Sequence, residues 1–289
     1  MNSAFQAATG IALIIIMLGM GLSLVPRNFK QVLQSPAVIA LGAVNQLVVL
    51  PLVAFVLLLI FPVSPEVAIG IMIVAACPGG ATSNLITNLV KADTALSICL
   101  TVISSMVTIV TIPFIVNFAL QYFSAAGVQT VQLDPVDTIK KIFIVIVVPV
   151  IVGMWLKYKF PNFAERMDKP VRVLSLVFIS LVVLGIVYEQ RANMLIYFQQ
   201  AGLIALLLNL IVMAIAYFSV CSLIKSGRDA MTVAIESGIQ NGGLALLIAV
   251  SLLNNPSYAV AAIVYSLVMF ATVWGFVGLL RKRLDVAAL

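Results

Sequence analysis

The feature that most constrains this chain is a series of long apolar runs, joined by short connections that carry prolines and charges. Most runs are long enough to cross about 30 Å of hydrocarbon as a helix. The runs do not alternate in polarity, which excludes a transmembrane β-barrel. With 63% hydrophobic and 9% charged residues, the chain has too little polar surface for a soluble globule. The sequence therefore predicts an all-α polytopic membrane protein, with a single transmembrane domain over residues 1–289.

Nine transmembrane helices are predicted, at about 5–25, 35–61, 67–90, 94–122, 137–156, 171–189, 196–223, 230–253 and 257–280. With the N-terminus outside, 13 of the 16 basic residues fall in cytoplasmic connections, and the exceptions are Lys140, Lys141 and Arg191. This split predicts an outer N-terminus and a cytoplasmic C-terminus. The net charge of +6 is thus attributed to membrane orientation and not to nucleic-acid binding. Residues 1–9 contain no basic residue, so we expect no secretory signal peptide. The expected location is a bacterial inner membrane.

An internal repeat is indicated by pairs of residues 163 positions apart. The glycine pair 79–80 recurs as the pair 242–243. The same offset relates Gln46 to Asn209, Glu66 to Asp229 and Thr94 to Ser257. Since five spans separate each element from its counterpart, the second copy is inverted in the membrane. We therefore predict an inverted-topology repeat of five helices per half, with the first half lacking its first helix.

Two polar stretches, CPGGATSN at 77–84 and ESGIQNGG at 236–243, interrupt apolar runs near the expected membrane midplane. Proline and glycine disfavour a continuous helix, so both runs are predicted to be discontinuous helices. Unwound backbone at that depth must face protein or a water-filled cavity, and half-helix N-termini there offer N–H groups to an anion. We therefore expect an organic anion as substrate, near Gly80, Ala81, Thr82, Asn241, Gly242 and Gly243.

Glu236 is the one acidic residue predicted to lie deep in the membrane, where a charge costs at least about 2.5–3.5 kcal/mol. The alternative is a neutral, hydrogen-bonded glutamic acid that ties helices together. Lys225 and Arg228 lie at the cytoplasmic end, so a bound cation is the expected neutralising charge. The surrounding donors are oxygens, the chain has no histidine and its three cysteines are far apart, which excludes zinc and copper. One carboxylate among neutral oxygens favours sodium over calcium or magnesium, with a proton as competitor.

The motifs GGATSN, ALS-x₃-T at 95–101 and ESGIQN resemble those of the bile acid:sodium symporter family, and the resemblance covers essentially the whole chain. It implies two sodium ions and no organic cofactor. The implied ligands of sodium site 1 are Ser83, Asn84, Ser97, Thr101 and Glu236. Those of sodium site 2 are the side chains of Gln46, Glu236 and Gln240 with the carbonyls of Ser237 and Ile239.

The resemblance also implies two moving parts. A core domain would carry the crossed discontinuous helices, at about 35–122 and 196–280, and a panel domain would comprise about 5–25 and 137–189. Some bacterial relatives have ten spans, whereas this chain resembles the nine-span animal carriers. Met269 and Phe270 stand where some bile-acid-binding relatives have a His-Asn pair, and Ala81 stands where a threonine is common. These apolar replacements leave both a bile acid and a smaller carboxylate as expected substrates.

The leading hypothesis is a sodium-coupled symporter that imports an organic anion by alternating access. A proton-coupled or efflux carrier, and a sodium-dependent binding protein without transport, are the alternatives. An intramembrane enzyme is not expected, because Glu236 has no second acid near it and the chain has no histidine for a catalytic or metal motif. The expected partners are the anion, sodium and the lipid bilayer; the sequence leaves the oligomeric state open, a monomer included.

Overall fold

The computed structural model describes residues 3–23, 35–124 and 133–286, and nearly all of them are helical. The helices are joined by turns of a few residues where the connections are described. In chain order they are α1 Ser3–Ser23, α2 Pro36–Ile60, α3 Pro65–Ala76, α4 Ala81–Leu89, α5 Thr94–Phe123, α6 Pro135–Lys159, α7 Pro161–Glu189, α8 Met194–Leu223, α9 Gly227–Gly238, α10 Gly242–Leu252 and α11 Pro256–Val286.

Among the described residues, six helices are long and apolar enough to cross a membrane: α2, α5, α6, α7, α8 and residues Pro256–Leu279 of α11. Shorter apolar stretches occupy Thr9–Leu22 of α1 and all of α3 and α10. These lengths confirm a polytopic helical membrane protein. The pairs α3–α4 and α9–α10 each occupy one of the nine predicted spans, and the number nine remains a prediction.

Two long helices contain a wider, π-helical turn just before a proline. The turn at Asn45–Val49 precedes Pro51 in α2, and the turn at Phe143–Val147 precedes Pro149 in α6. Proline lacks an N–H group, and its ring clashes with the carbonyl four residues earlier. A wider turn at this point avoids the clash and lets the helix continue. In α2 this turn carries two consecutive buried amides, Asn45 and Gln46.

Helix α7 begins ten residues before the predicted span at 171–189. Pro161 occupies its first turn, where the missing N–H costs nothing. The predicted spans at 137–156 and 171–189 put Pro170 in the connection between them, and this was wrong, because the proline lies inside the helix. Ala164 and Val171 are buried with Leu22 of α1 in a small separate cluster. This packing on both sides of Pro170 stabilises a helix that the proline alone would end.

Helix α1 packs closely against α6 and α7. The backbones of α1 and α6 approach at Gly21 and Gly153, where a Cβ atom on either glycine would collide with a backbone carbonyl of the other helix. Small residues at membrane-helix contacts permit this approach. The main hydrophobic core extends through the other helices and also includes Met17 of α1, Ile142 of α6 and Ile186 of α7. In it α8 packs on α9 and α11, and α3 packs on α5 and α11.

The interruptions of the two discontinuous helices lie in direct contact. Gly80 N donates to the Ile239 carbonyl at 3.0 Å, and Asn241 N donates to the Pro78 carbonyl at 2.9 Å. Gly79 pairs with Gln240 between these two bonds, in a short antiparallel bridge. The crossing thereby provides partners for backbone groups that the breaks release from the helices, as an apolar environment requires.

Candidate cation-binding site at the helix breaks

Glu236 lies in the last turn of α9, next to the crossing, and is only 1% exposed. Its burial places a carboxylate where water cannot solvate it. Within the described ranges 3–23, 35–124 and 133–286, no ion pair involves Glu236; the ion pairs there are Lys141–Asp137 and Lys157–Glu165. Any compensation for its charge must therefore come from neutral donors or from a bound cation.

Three buried hydroxyls surround the carboxylate. Ser83 Oγ and Ser97 Oγ donate to Oε2 at 2.6 and 2.8 Å, and Thr101 Oγ1 donates to Oε1 at 2.5 Å. Asn84 Oδ1 lies 2.8 Å from Ser97 Oγ and 3.4 Å from Thr101 Oγ1. Helices α4, α5 and α9 thus bring together all five side chains that the family resemblance assigned to sodium site 1.

One hydroxyl of this cluster faces more acceptors than it has protons. Ser97 Oγ lies 2.8 Å from both Asn84 Oδ1 and Glu236 Oε2, and it has one proton to donate. One of these two oxygen contacts therefore lacks a proton when the carboxylate is ionised. A cluster of neutral oxygens around one carboxylate fits a monovalent hard cation.

The backbone and a further hydroxyl shape this cluster. A Cβ atom on Gly79 would collide with Oε1 of Glu236, so the absence of a side chain there allows the carboxylate its position. Thr87, fully buried one turn after Ser83 on α4, lies 3.5 Å from Ser97 Oγ. Thr87 was not among the predicted residues, although its four-residue spacing from Ser83 was a usable signal.

A second polar cluster lies beside the crossing. Gln46 Nε2 donates to Gln240 Oε1 at 2.7 Å and lies 3.4 Å from the Cys77 carbonyl. Gln240 Nε2 in turn donates to the Ser237 carbonyl at 2.9 Å. Gln46 Oε1 is buried and has no hydrogen-bond partner. An orphaned buried acceptor fits a cation ligand.

The structure therefore joins part of the group that the resemblance assigned to sodium site 2. Gln46, Gln240 and the Ser237 carbonyl are in contact, whereas the Ile239 carbonyl already accepts the Gly80 N–H in the crossing. The carboxylate oxygens of Glu236 are engaged by the hydroxyls of the first cluster.

Asn209 provides a comparison for Gln46, because it stands 163 positions later and is equally buried. Its Nδ2 donates to the Gly238 carbonyl at 2.6 Å and to Tyr265 Oη at 2.9 Å. Its Oδ1 accepts from Thr272 Oγ1 at 2.7 Å. This amide is satisfied on both sides by protein groups. The unpartnered side-chain oxygen of Gln46 therefore has no counterpart at the equivalent position of the second half.

The predicted substrate-binding residues are divided between the two half-helix starts. Asn241 Oδ1 accepts from Leu244 N at 3.0 Å and so caps α10. Gly80 caps α4 without any side-chain hydrogen bond, and Thr82 in its first turn is exposed. Ala81 opens α4, and its side chain lies outside the described part of the chain. The backbone N–H groups at the start of α4 thus lack the side-chain cap that those at the start of α10 have.

The remaining predicted positions lie around α10 and α11. A Cβ on Gly242 would meet Ser266 Oγ, and a Cβ on Gly243 would lie 3.4 Å from Leu13 of α1. Met269 is buried in α11, whereas Phe270 is 37% exposed. Helix α11 thus approaches the crossing at Ser266, one turn before these two residues.

Comparison with known proteins gives a family and several relatives. A model of the Sodium Bile acid symporter family matches residues 10–198, which include the first break. An uncharacterized sodium-dependent transporter of Bacillus subtilis, YocS, is 30% identical over 271 residues, covering 90% of this chain and 80% of that protein. An alignment covering that much of the chain includes both breaks.

Two further relatives are longer proteins. A probable chloroplastic sodium/metabolite cotransporter of Oryza sativa, BASS2, is 28% identical over 251 residues, covering 86% of this chain and 58% of that protein. The human sodium/bile acid cotransporter 4 is 34% identical over 188 residues, covering 64% of this chain and 42% of that protein. The chain thus spans less than two thirds of the length of these two relatives.

Proposed function

Because the chain belongs to the sodium bile acid symporter family, we propose that it is a sodium-coupled symporter that imports an organic anion. The observation that carries this proposal is the buried carboxylate of Glu236 among three hydroxyls and an amide oxygen, with one Ser97 proton for two acceptors. A sodium ion at this point would neutralise the carboxylate and be coordinated by the neighbouring neutral oxygens.

In this proposal, two sodium ions bind. The first is held by Ser83, Asn84, Ser97, Thr101 and Glu236. The second is held near Gln46, Gln240 and the Ser237 carbonyl, with Gln46 Oε1 as a ligand that lacks a protein donor. Occupation of the first site would link α4, α5 and α9, and occupation of the second would link α2 to the crossing. Sodium would thereby order the segment where the two breaks meet.

The anion is proposed to bind at the start of α4, beside Thr82. The start of a helix carries partial positive charge and unpaired N–H groups, which favour a carboxylate. Gly80 leaves this start without a side-chain cap, whereas Asn241 already satisfies the corresponding end of α10. A small carboxylate is the proposed substrate class, and a bile acid is the larger alternative that the same family supports.

We further propose nine spans built as an inverted repeat. The repeat gains support from the backbone, since Lys91 and Asn254 stand 163 positions apart and both adopt a positive φ, of 59° and 51°. Each follows the second half of a broken helix, where the chain turns sharply. The pairing of Pro78 with Asn241, also 163 positions apart, puts equivalent residues opposite each other at the crossing.

Alternating access would then move a panel of α1, α6 and α7 against a core of the other helices. The support is the packing: α1, α6 and α7 contact one another closely and share a cluster of their own. The N-terminus is proposed to lie outside and the C-terminus in the cytoplasm of a bacterial inner membrane.

Ion-replacement flux measurements test this function. The purified protein is reconstituted into proteoliposomes, and uptake of a panel of labelled keto acids, hydroxy acids and bile acids is measured under an inward sodium gradient. We expect uptake of at least one anion with sodium and none with potassium in its place. Uptake that follows a pH gradient without sodium would replace the proposal by proton coupling to Glu236. Sodium-dependent binding without flux would replace it by a binding protein.

A further inference from the structure

Helices α5 and α9 meet at a second contact, near the start of α5. Thr232 on α9 is fully buried. The Asp93 backbone N–H donates to Thr232 Oγ1 at 2.8 Å, and Thr232 Oγ1 donates to the Arg228 carbonyl of its own helix at 3.1 Å. Arg228 Nη2 also approaches the Ala92 carbonyl, at 3.4 Å. The turn between α4 and α5 is thus attached to α9.

This contact stands in register with the cation cluster. Thr232 and Glu236 are four residues apart on α9, and Asp93 and Ser97 are four residues apart in α5 and its cap. Residues at this spacing share one face of a helix, about 6 Å apart along its axis. The Asp93–Thr232 bond therefore lies one turn from the Ser97–Glu236 bond, and both join the same two helices.

Asp93 is also rigidly connected to Ser97. The Asp93 carboxylate accepts from Leu96 N at 2.9 Å and so caps α5, and Ser97 N donates to the Asp93 carbonyl at 3.1 Å. A displacement of Asp93 would shift the first turn of α5 with it. Because Ser97 belongs to that turn and Thr101 to the next, both hydroxyls depend on where Asp93 is held.

We propose that Thr232 is a positioning residue for the cation site: by accepting the Asp93 N–H, it holds the start of α5 against α9 so that Ser97 and Thr101 meet Glu236. This inference rests on the proposed sodium site and adds a residue that contacts no ion. When sodium binds, the hydroxyls are then already in place, so less binding energy is spent on bringing the two helices together.

A threonine in a membrane helix commonly bonds only to its own preceding turn. Thr108 on α5 is such a residue, since it is buried and donates to the Ser105 carbonyl at 3.2 Å. Thr232 differs because its oxygen also accepts from the backbone of another segment. Thr108→Val is therefore the matched control: it removes the same atoms from a buried helix position without removing a bond between segments.

The test compares Thr232→Val, Thr232→Ala, Thr232→Ser and Thr108→Val in proteoliposomes, at equal amounts of folded protein. The measured quantities are the sodium concentration at half-maximal uptake and the maximal rate at saturating sodium. We expect Thr232→Val and Thr232→Ala to raise the half-saturating sodium concentration about two- to tenfold, as for the loss of one buried hydrogen bond. In these two variants the maximal rate should be nearly retained. Thr232→Ser and Thr108→Val should both have the half-saturating sodium concentration of the wild type.

The inference would be overturned if Thr232→Val or Thr232→Ala had the half-saturating sodium concentration of the wild type. It would also be overturned if Thr108→Val raised that concentration as much as the Thr232 variants do. The alanine variant keeps the test valid if valine impairs folding. If the wild-type protein itself shows no sodium dependence, the proposed function fails. If the wild-type protein is sodium-dependent and the Thr232 variants match it, only the positioning role fails.

Discussion

Replacement of Gly79 by alanine is expected to weaken the first sodium site while leaving the fold intact. An added Cβ would lie 3.0 Å from Cδ of Glu236 and closer still to Oε1. The φ angle of Gly79 lies outside the left-handed region, so alanine itself fits the backbone there. The cost of the substitution therefore comes from this contact and not from backbone strain.

The magnitude follows from the bonds that hold the carboxylate. To relieve the contact, Oε1 must move away from the bridge, and its 2.5 Å bond with Thr101 Oγ1 is the one most directly disturbed. A hydrogen bond to a charged group contributes about 1.5–3 kcal/mol. Because Oε1 is also a proposed sodium ligand, its displacement weakens a contact with the ion. A loss of this size corresponds to a roughly 10- to 150-fold weaker sodium affinity, at about 1.4 kcal/mol per factor of ten.

Sodium titrations of thermal stability in detergent, followed by sodium titrations of uptake, measure this effect. Gly202→Ala is the matched control, since an added Cβ at that position in α8 meets nothing within 4 Å. We expect the half-saturating sodium concentration of Gly79→Ala to rise at least tenfold, and that of Gly202→Ala to equal wild type. Equal sodium affinities for both variants would refute the placement of the carboxylate against Gly79.

Three further predictions concern other parts of the structure. Gln46→Leu should lower sodium affinity with little loss of thermal stability. Asn209→Leu should lower the melting temperature clearly, because it removes the buried hydrogen bonds of this amide to the Gly238 carbonyl, Tyr265 and Thr272; parallel thermal titrations check both. In intact cells, a membrane-impermeant maleimide should label Arg191→Cys and spare Glu165→Cys, and the reverse pattern would contradict the proposed orientation. Gly21→Ala should lower the melting temperature, because its Cβ would collide with α6, and an unchanged value would contradict the close approach.

The helical membrane class and the buried carboxylate could be predicted because each rests on a local signal. Long apolar runs indicate spans, and a glutamate within such a run indicates a buried charge that needs compensation. Ser97 and Thr101 were expected near Glu236 from the family resemblance, and the structure puts both hydroxyls on this carboxylate. The assignment of these residues to sodium remains a proposal.

Other features depended on packing that the sequence does not display. Pro170 continues α7 because residues on both sides of it pack against α1, which no local pattern reports. The contact of Thr232 with Asp93 joins residues 139 positions apart, and its partner is a backbone N–H, so no residue type marks it. The different partners of Gln46 and Asn209 likewise follow from what faces each amide and not from the repeat itself.

Direct sodium binding tests the central claim that Glu236 holds the coupling ion. Equilibrium binding of radioactive sodium to the purified protein, without any anion, is measured for wild type and for Glu236→Gln, which keeps the size and removes the charge. We predict saturable binding to wild type and loss of the tight component in Glu236→Gln, with Gly202→Ala unchanged. Wild-type sodium binding in Glu236→Gln would contradict the account.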